Sequence, residues 1–290
     1  MAKTDESLEH TRMSLGGHLE ELRKRLFRSV LAVAIAFGFA WWQQDPIQEW
    51  VLSPWQTAVA RINADLVQKA EARLAQHPEI RRSELFETDD PSDQRLRDRI
   101  DPRLSAFGIG DMFFFALNIS IYVALFAAGP FVLWQLWQFV AAGLYGHEKR
   151  LVRVYFPFSV GLFLSGVAFC FHLVVPVGMY FLATTVSFDK ARPWLGLDKY
   201  FSFVSTMCLA MGAVFQLPIV MIFVSRIGLV DPRTYSKYRA HFLVGALFIA
   251  AFLTPGPDWY SQILMTIPML LLYEIGALIA RFTARPRRRS

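Results

Sequence analysis

The sequence predicts an all-α polytopic membrane protein: six kinked transmembrane helices, the last two short, with both chain termini in the cytoplasm. Three observations carry that reading. Of 290 residues, 54% are hydrophobic and 19% charged, against about 25% charged in an ordinary soluble domain. Asp, Glu, Lys and Arg are absent from six runs: Ser29–Gln44, Met112–His147, Val154–Phe188, Tyr200–Ser225, Ala240–Pro257 and Trp259–Tyr273. Basic residues then gather on alternate links between those runs.

A bilayer core of about 30 Å takes roughly 20 helical residues at about 1.5 Å each. The second, third and fourth runs meet that length outright. The first reaches it through Leu26 and Phe27 if Arg28 snorkels to the interface. The last two are shorter, about 21–22 Å each before Thr254 and Glu274 interrupt them. Pro130, Pro157, Pro176, Pro218 and Pro268 fall inside the runs and predict bends, because each removes a backbone donor. Between the first and second runs, Ala58–Leu74 places Val59, Ile62, Leu66, Ala70 and Leu74 at helical intervals before His77-Pro78, and Asp89-Asp90-Pro91 reads as a turn. Residues 1–290 are read as a single integral membrane domain, with 43–111 as a long external loop between spans 1 and 2.

Orientation follows from the basic residues. Six lie up to Arg28, three in Glu148–Arg153, four in Arg226–Arg239 and five in the tail. The other side has three in Asp189–Lys199, while the nine between Asp45 and Asp111 sit in a loop too long to count fully. The 28 residues ahead of the first run are charged, unlike a secretion signal. A formal charge of +6 and a pI near 9.4 do not point to nucleic acid, because the basic residues flank apolar runs rather than forming a recognition face. Cys170 and Cys208 lie in apolar runs and read as small hydrophobes.

Catalytic machinery is missing from the sequence. It has no phosphate-binding Gly-x-x-x-x-Gly-Lys-Ser/Thr loop, no Gly-x-Ser-x-Gly elbow, and no zinc pattern, since Leu151 stands where His147-Glu148 would need a second His. The chain is read as a non-enzyme with no cofactor and no metal. What remains is polar material at membrane depth. Gln216 lies beside Pro218, with an interhelical hydrogen bond as its plainest role. Glu274 is expected to pair with Arg281 or another basic group. A secondary transporter of a small solute is the alternative, but it predicts internal repeats and several midplane polar sites that the sequence does not display.

Six segments in order resemble one family, the multispanning TatC subunit of the twin-arginine protein translocase. They are His18-Leu-Glu-Glu-Leu-Arg-Lys-Arg-Leu26 followed by Ser53-Pro54; Gly129-Pro-Phe-Val-Leu-Trp-Gln-Leu-Trp-Gln-Phe-Val-Ala-Ala-Gly-Leu-Tyr-Gly-His-Glu148; Phe215-Gln-Leu-Pro218; Thr254-Pro-Gly-Pro-Asp258; Ser261-Gln262; and Leu272-Tyr-Glu-Ile-Gly276. The resemblance spans nearly the whole chain except about 58–106, which reads as an insertion atypical of the family.

The resemblance implies a receptor in a bacterial inner membrane that binds twin-arginine signal peptides of folded proteins on the cytoplasmic side. It implies partners TatA and TatB, contact with membrane lipids, a homo-oligomer within the receptor complex, and transport driven by the proton-motive force. Glu21, Glu148, Arg23 and Phe139 fall at the family's signal-peptide-binding positions. Gln216, Thr254 and Gln262 fall where partner subunits are met, and Pro54 and Asp258 in loops. Carboxylates suit the first role, because they take a guanidinium in two parallel hydrogen bonds that an ammonium cannot reproduce. Within the chain, Glu21 also has Arg25 at i+4, the spacing of a helical ion pair. Two departures stand out: the family usually has Glu at Gln216, and the last turn carries an extra Gly256.

Overall fold

The structure, a computed structural model, describes residues 15–87, 89–90, 95–96, 99–105, 108, 110–144, 149–184, 196–253 and 259–283. Among these there is no β-strand, only two isolated bridges. The expected all-helical architecture is present. Five helical stretches are long and apolar enough to cross a membrane: Gly16–Trp42, Asp111–Ala142, Lys149–Thr184, Leu197–Arg226 and Gln262–Thr283. Arg239–Leu253 is apolar but has only 15 residues.

The first helix, α1 (Leu15–Trp42), packs chiefly along α4 (Asp111–Ala142). Its remaining circumference carries exposed Leu26, Phe27, Val30, Leu31, Ile35 and Phe39, side chains suited to lipid rather than water. After a single turn residue at Gln43 the chain enters α2 (Gln44–Gln76), a helix of 33 residues where the sequence suggested a loop carrying a shorter helix. Burial explains the difference. Val51, Trp55, Ala58, Val59 and Ile62 recur at helical spacing and are all buried, and all but Ile62 join the main apolar cluster with Phe171, Val174, Met179 and Tyr200. Pro54, expected in a loop, is instead buried inside this helix. It cannot donate to Trp50, and the helix is secured beside that gap by the Tyr200 hydroxyl, which donates to the Val51 carbonyl at 2.7 Å.

The segment beyond α2, including the short α3 (Arg82–Leu85), folds back on α2. Trp55 Nε1 donates to the Pro102 carbonyl at 2.9 Å. Asn63 both donates to and accepts from the Ile100 backbone at 3.0 Å. Within the segment, the Ser83 amide and hydroxyl hold the Asp89 carboxyl below its ordinary range.

Next come α5 (Lys149–Phe169), a π-helical turn at Cys170–Val174, and α6 (Val175–Thr184) as one stretch. Pro176 cannot donate to His172, and the wide turn sits where the ladder is broken. The following span is divided too: α7 (Leu197–Val214) and α8 (Leu217–Arg226) meet at Phe215-Gln216, with Pro218 in the first turn of α8. Helix α7 is the most enclosed element and faces α5. A Cβ at Gly166 would fall 2.7 Å from Phe215 and 2.9 Å from the Met211 carbonyl, so these two helices meet only because that residue is glycine. Gly228, at φ +82°, ends α8, and Asp231 caps the short α9 (Pro232–Lys237) by accepting from the Arg233 amide at 2.9 Å.

The chain closes with α10 (Arg239–Leu253) and α11 (Trp259–Thr283). The latter continues through Glu274 for 25 residues, well beyond its charge-free run. Glu274, a good helix former, pairs with Arg239 at 2.5 Å, on the neighbouring helix. The Arg281 guanidinium, the partner named from the sequence, donates to Ser236 instead.

Candidate functional site

Two polar places stand out in the apolar bundle among the described residues. The first lies where the start of α1 meets the end of α4. Aromatic packing fixes this corner: Trp137 stands edge-on to Phe223 at 5.0 Å, and Trp134 to Phe156 at 4.7 Å, tying α4 to α8 and α5. Across the α1–α4 seam, the His18 ring stacks on Phe139 at 4.3 Å. Phe139 is therefore held by α1, and the pair forms one wall of the corner.

Glu21 and Arg25, one turn apart on α1, form an ion pair, as the i+4 spacing predicts. Their side chains are only 23% and 15% exposed. Arg25 Nη1 also reaches Gln135 Oε1 on α4 at 3.4 Å, and Ser29 Oγ donates to the Arg25 carbonyl at 3.0 Å. Among the described residues, Arg25 Nε is buried without an acceptor. Arg23 points elsewhere: it is 78% exposed and pairs with Glu20 at 2.9 Å. The structure thus brings Glu21, Arg25, Gln135 and Phe139 to one corner and leaves Arg23 on an open face. Glu148 lies outside the described residues; of the residues flanking its link, Leu144 packs against a cluster around Trp137 and Phe223, and Lys149 begins α5.

Gln135 was not singled out from the sequence. Its signal was available: an amide between Trp134 and Trp137, in a run free of charge, must find a partner if it is buried.

The second polar place is at Gln216, in the break between α7 and α8. Its Nε2 donates to the Ser159 carbonyl at 3.0 Å, and Ser159 Oγ donates to its Oε1. Both ends of the amide close on α5, and Ser159 is wholly buried. The interhelical hydrogen bond expected of Gln216 is therefore made within the chain. Gln262 does the same between the last two helices, donating to the Leu247 carbonyl at 3.0 Å. Thr254 and Asp258 lie outside the described residues. Among the described residues, no group of three or more His, Cys, Asp or Glu is placed to hold a metal ion.

With this geometry established, comparison with known proteins gives a consistent picture. The family model for Sec-independent protein translocase protein (TatC) matches residues 17–268. A TatC protein of Escherichia coli K12 is 31% identical over 265 residues, 91% of this chain and 87% of its own length. The Bacillus subtilis TatCy protein is 28% identical over 96% of this chain and 92% of its own. For a Halothiobacillus neapolitanus TatC the identity is 33% over 92% of this chain, which spans 62% of that relative. A crystal structure described as a twin arginine translocase receptor, TatC, superposes with a TM-score of 0.67 at 30% identity, covering 92% of this chain and all of the other.

Proposed function

Because the chain belongs to the TatC family of Sec-independent protein translocase proteins, we propose that it is the cargo receptor of a twin-arginine translocation system. It sits in a bacterial inner membrane with both termini in the cytoplasm. The observation that carries the reading is Glu21. Its sheltered carboxylate already accepts a guanidinium, that of Arg25, in a corner walled by His18 and Phe139. A group that holds one arginine in this setting has the chemistry to hold another.

On this reading Glu21 and Glu148 take the paired arginines of a signal peptide, Phe139 lines the same corner, and Arg23 steers the peptide from its open face. Each hydrogen bond to a charged group contributes roughly 1.5–3 kcal/mol, so two such contacts support about a hundredfold preference for the motif. TatA and TatB meet the bundle near Gln216, Thr254 and Gln262, and the proton-motive force drives the folded cargo across. Asp258 shapes the opposite face. Helix α10, at 15 residues or about 22 Å, is shorter than a bilayer core of about 30 Å, which favours local thinning at the last hairpin.

The test is a photo-crosslinking probe placed at position 148. It is expected to label a twin-arginine signal peptide well above its twin-lysine version. Equal labelling of the two peptides would overturn the receptor reading.

A further inference from the structure

We propose that Arg25 is an internal competitor for Glu21: a basic peptide reaches that carboxylate only by displacing the chain's own guanidinium. The inference deepens the receptor reading and rests on it. Arg25 lies one turn beyond Glu21 on the same face of α1 and is paired with it in the structure described here. Both side chains are sheltered, at 15% and 23% exposure, whereas the neighbouring Arg23–Glu20 pair is open at 78% and 43%. The sheltered carboxylate is therefore occupied, and the occupant is the same chemical group that the proposed ligand would bring.

The occupant is also imperfectly held. A guanidinium presents five donors in a rigid fork. Here one nitrogen pairs with Glu21 and another reaches Gln135 only at 3.4 Å, the outer limit of a hydrogen bond. Nε is buried with no acceptor among the described residues. Stranding a buried donor disfavours the closed arrangement relative to one in which Arg25 swings out and regains water. An incoming arginine that takes Glu21 with two parallel hydrogen bonds replaces a partly satisfied pair with a better one. Arg25 thus acts as a positioning and gating residue that sets how strong a ligand must be.

This arrangement has a specific signature. Every ligand of Glu21 must displace Arg25 first, so apparent affinity is reduced by the fraction of molecules in which Glu21 is open, whatever the ligand. Removing Arg25 then tightens arginine and lysine peptides by the same factor and leaves their ratio unchanged. A purely repulsive effect of the Arg25 charge behaves differently, because Arg25→Lys keeps the charge while losing the fork.

The experiment uses the full chain in nanodiscs of a zwitterionic phosphatidylcholine. Fluorescence anisotropy follows labelled peptides bearing paired arginines or paired lysines, and thermal melting of each variant confirms folding. Arg25→Gln is expected to bind both peptides at least about threefold more tightly than the parent, with an unchanged ratio, and Arg25→Lys to fall between the two. The inference is overturned if folded Arg25→Gln binds no more tightly, or if it alone tightens while Arg25→Lys matches the parent. Should Arg25→Gln fail to fold, Arg25→Lys decides the matter by the same comparison with the parent. A parent protein that binds neither peptide overturns the receptor reading itself, a result distinct from a parent that binds and variants that do not tighten.

Discussion

At the α1–α4 corner a carboxylate and a guanidinium face each other with one buried N–H left unpaired among the described residues; at the α7–α8 break an amide and a serine exchange two hydrogen bonds. Both places put polar groups among apolar helices, yet one is charged and incompletely satisfied while the other is neutral and closed. Burial of polar groups is tolerated where each finds a partner. The Gln216–Ser159 pair meets that condition and locks α5 to the α7–α8 break. The Glu21–Arg25–Gln135 corner does not fully meet it, and unspent hydrogen-bonding capacity is what a ligand can use. The contrast separates a residue pair that holds the bundle from one that is poised to exchange partners.

The largest effect expected from breaking this contrast is on ligand binding at the charged corner. Glu21→Gln and Glu148→Ala are each expected to weaken a twin-arginine peptide by about tenfold or more, the loss of one charge-assisted contact of roughly 1.5–3 kcal/mol. Glu148→Ala should leave the melting temperature nearly unchanged, and anisotropy titration beside a thermal melt measures both quantities. A Glu148→Ala protein that melts much earlier and binds as well as the parent would assign that residue to stability.

Next in size is the neutral pair. Gln216→Leu takes the acceptor from the buried Ser159 hydroxyl and the extra donor from its carbonyl, which keeps its place in the helical ladder of α5, and is expected to cost about 1–3 kcal/mol of stability, with peptide binding retained. Gln216→Glu should cost less, because a protonated carboxyl there both accepts from the Ser159 hydroxyl and donates to the Ser159 carbonyl, as the amide does. Denaturant or thermal unfolding in micelles ranks the three proteins. The ranking is reversed if the position works through charge rather than hydrogen bonding.

The smallest effect sharpens the role of shelter. Arg239–Glu274 has the same chemistry as Arg25–Glu21, but its side chains are 53% and 46% exposed. Glu274→Gln is expected to change stability by less than about 1 kcal/mol and to leave peptide binding unaffected. A change as large as that of Gln216→Leu would show that exposure is not what distinguishes these pairs.

Much of this contrast was legible in the residues. Charge-free runs located the membrane-crossing helices, and the i+4 spacing of Glu21 and Arg25 foretold their pairing. A lone amide beside Pro218 foretold an interhelical hydrogen bond, though not that Ser159 would supply it. A serine in an apolar run carries no mark of which helix it will face, because that depends on the glycine contacts that bring α5 against α7. The placing of Pro54 inside a helix was not legible either. Local proline chemistry argues for a break there, and burial of Val51, Trp55, Ala58 and Val59 against distant α6 and Tyr200 outweighs it. The role of Gln135 was not legible, since it lies in meeting Arg25 across 110 positions of sequence. The pairing of Glu274 with a basic group was legible as well, but not which one: proximity along the chain favoured Arg281, and helix packing brought Arg239.

The most direct test of the receptor account is a double-mutant cycle between Glu21 and the paired arginines of a signal peptide. Parent protein and Glu21→Gln, in nanodiscs, are each titrated with the twin-arginine peptide and its twin-lysine counterpart. The account expects the parent to favour arginine by about tenfold or more, one to two hydrogen bonds to a charged group, and Glu21→Gln to lose most of that preference while still binding weakly. A parent that binds both peptides equally, or a Glu21→Gln protein that keeps the full preference for arginine, would contradict it.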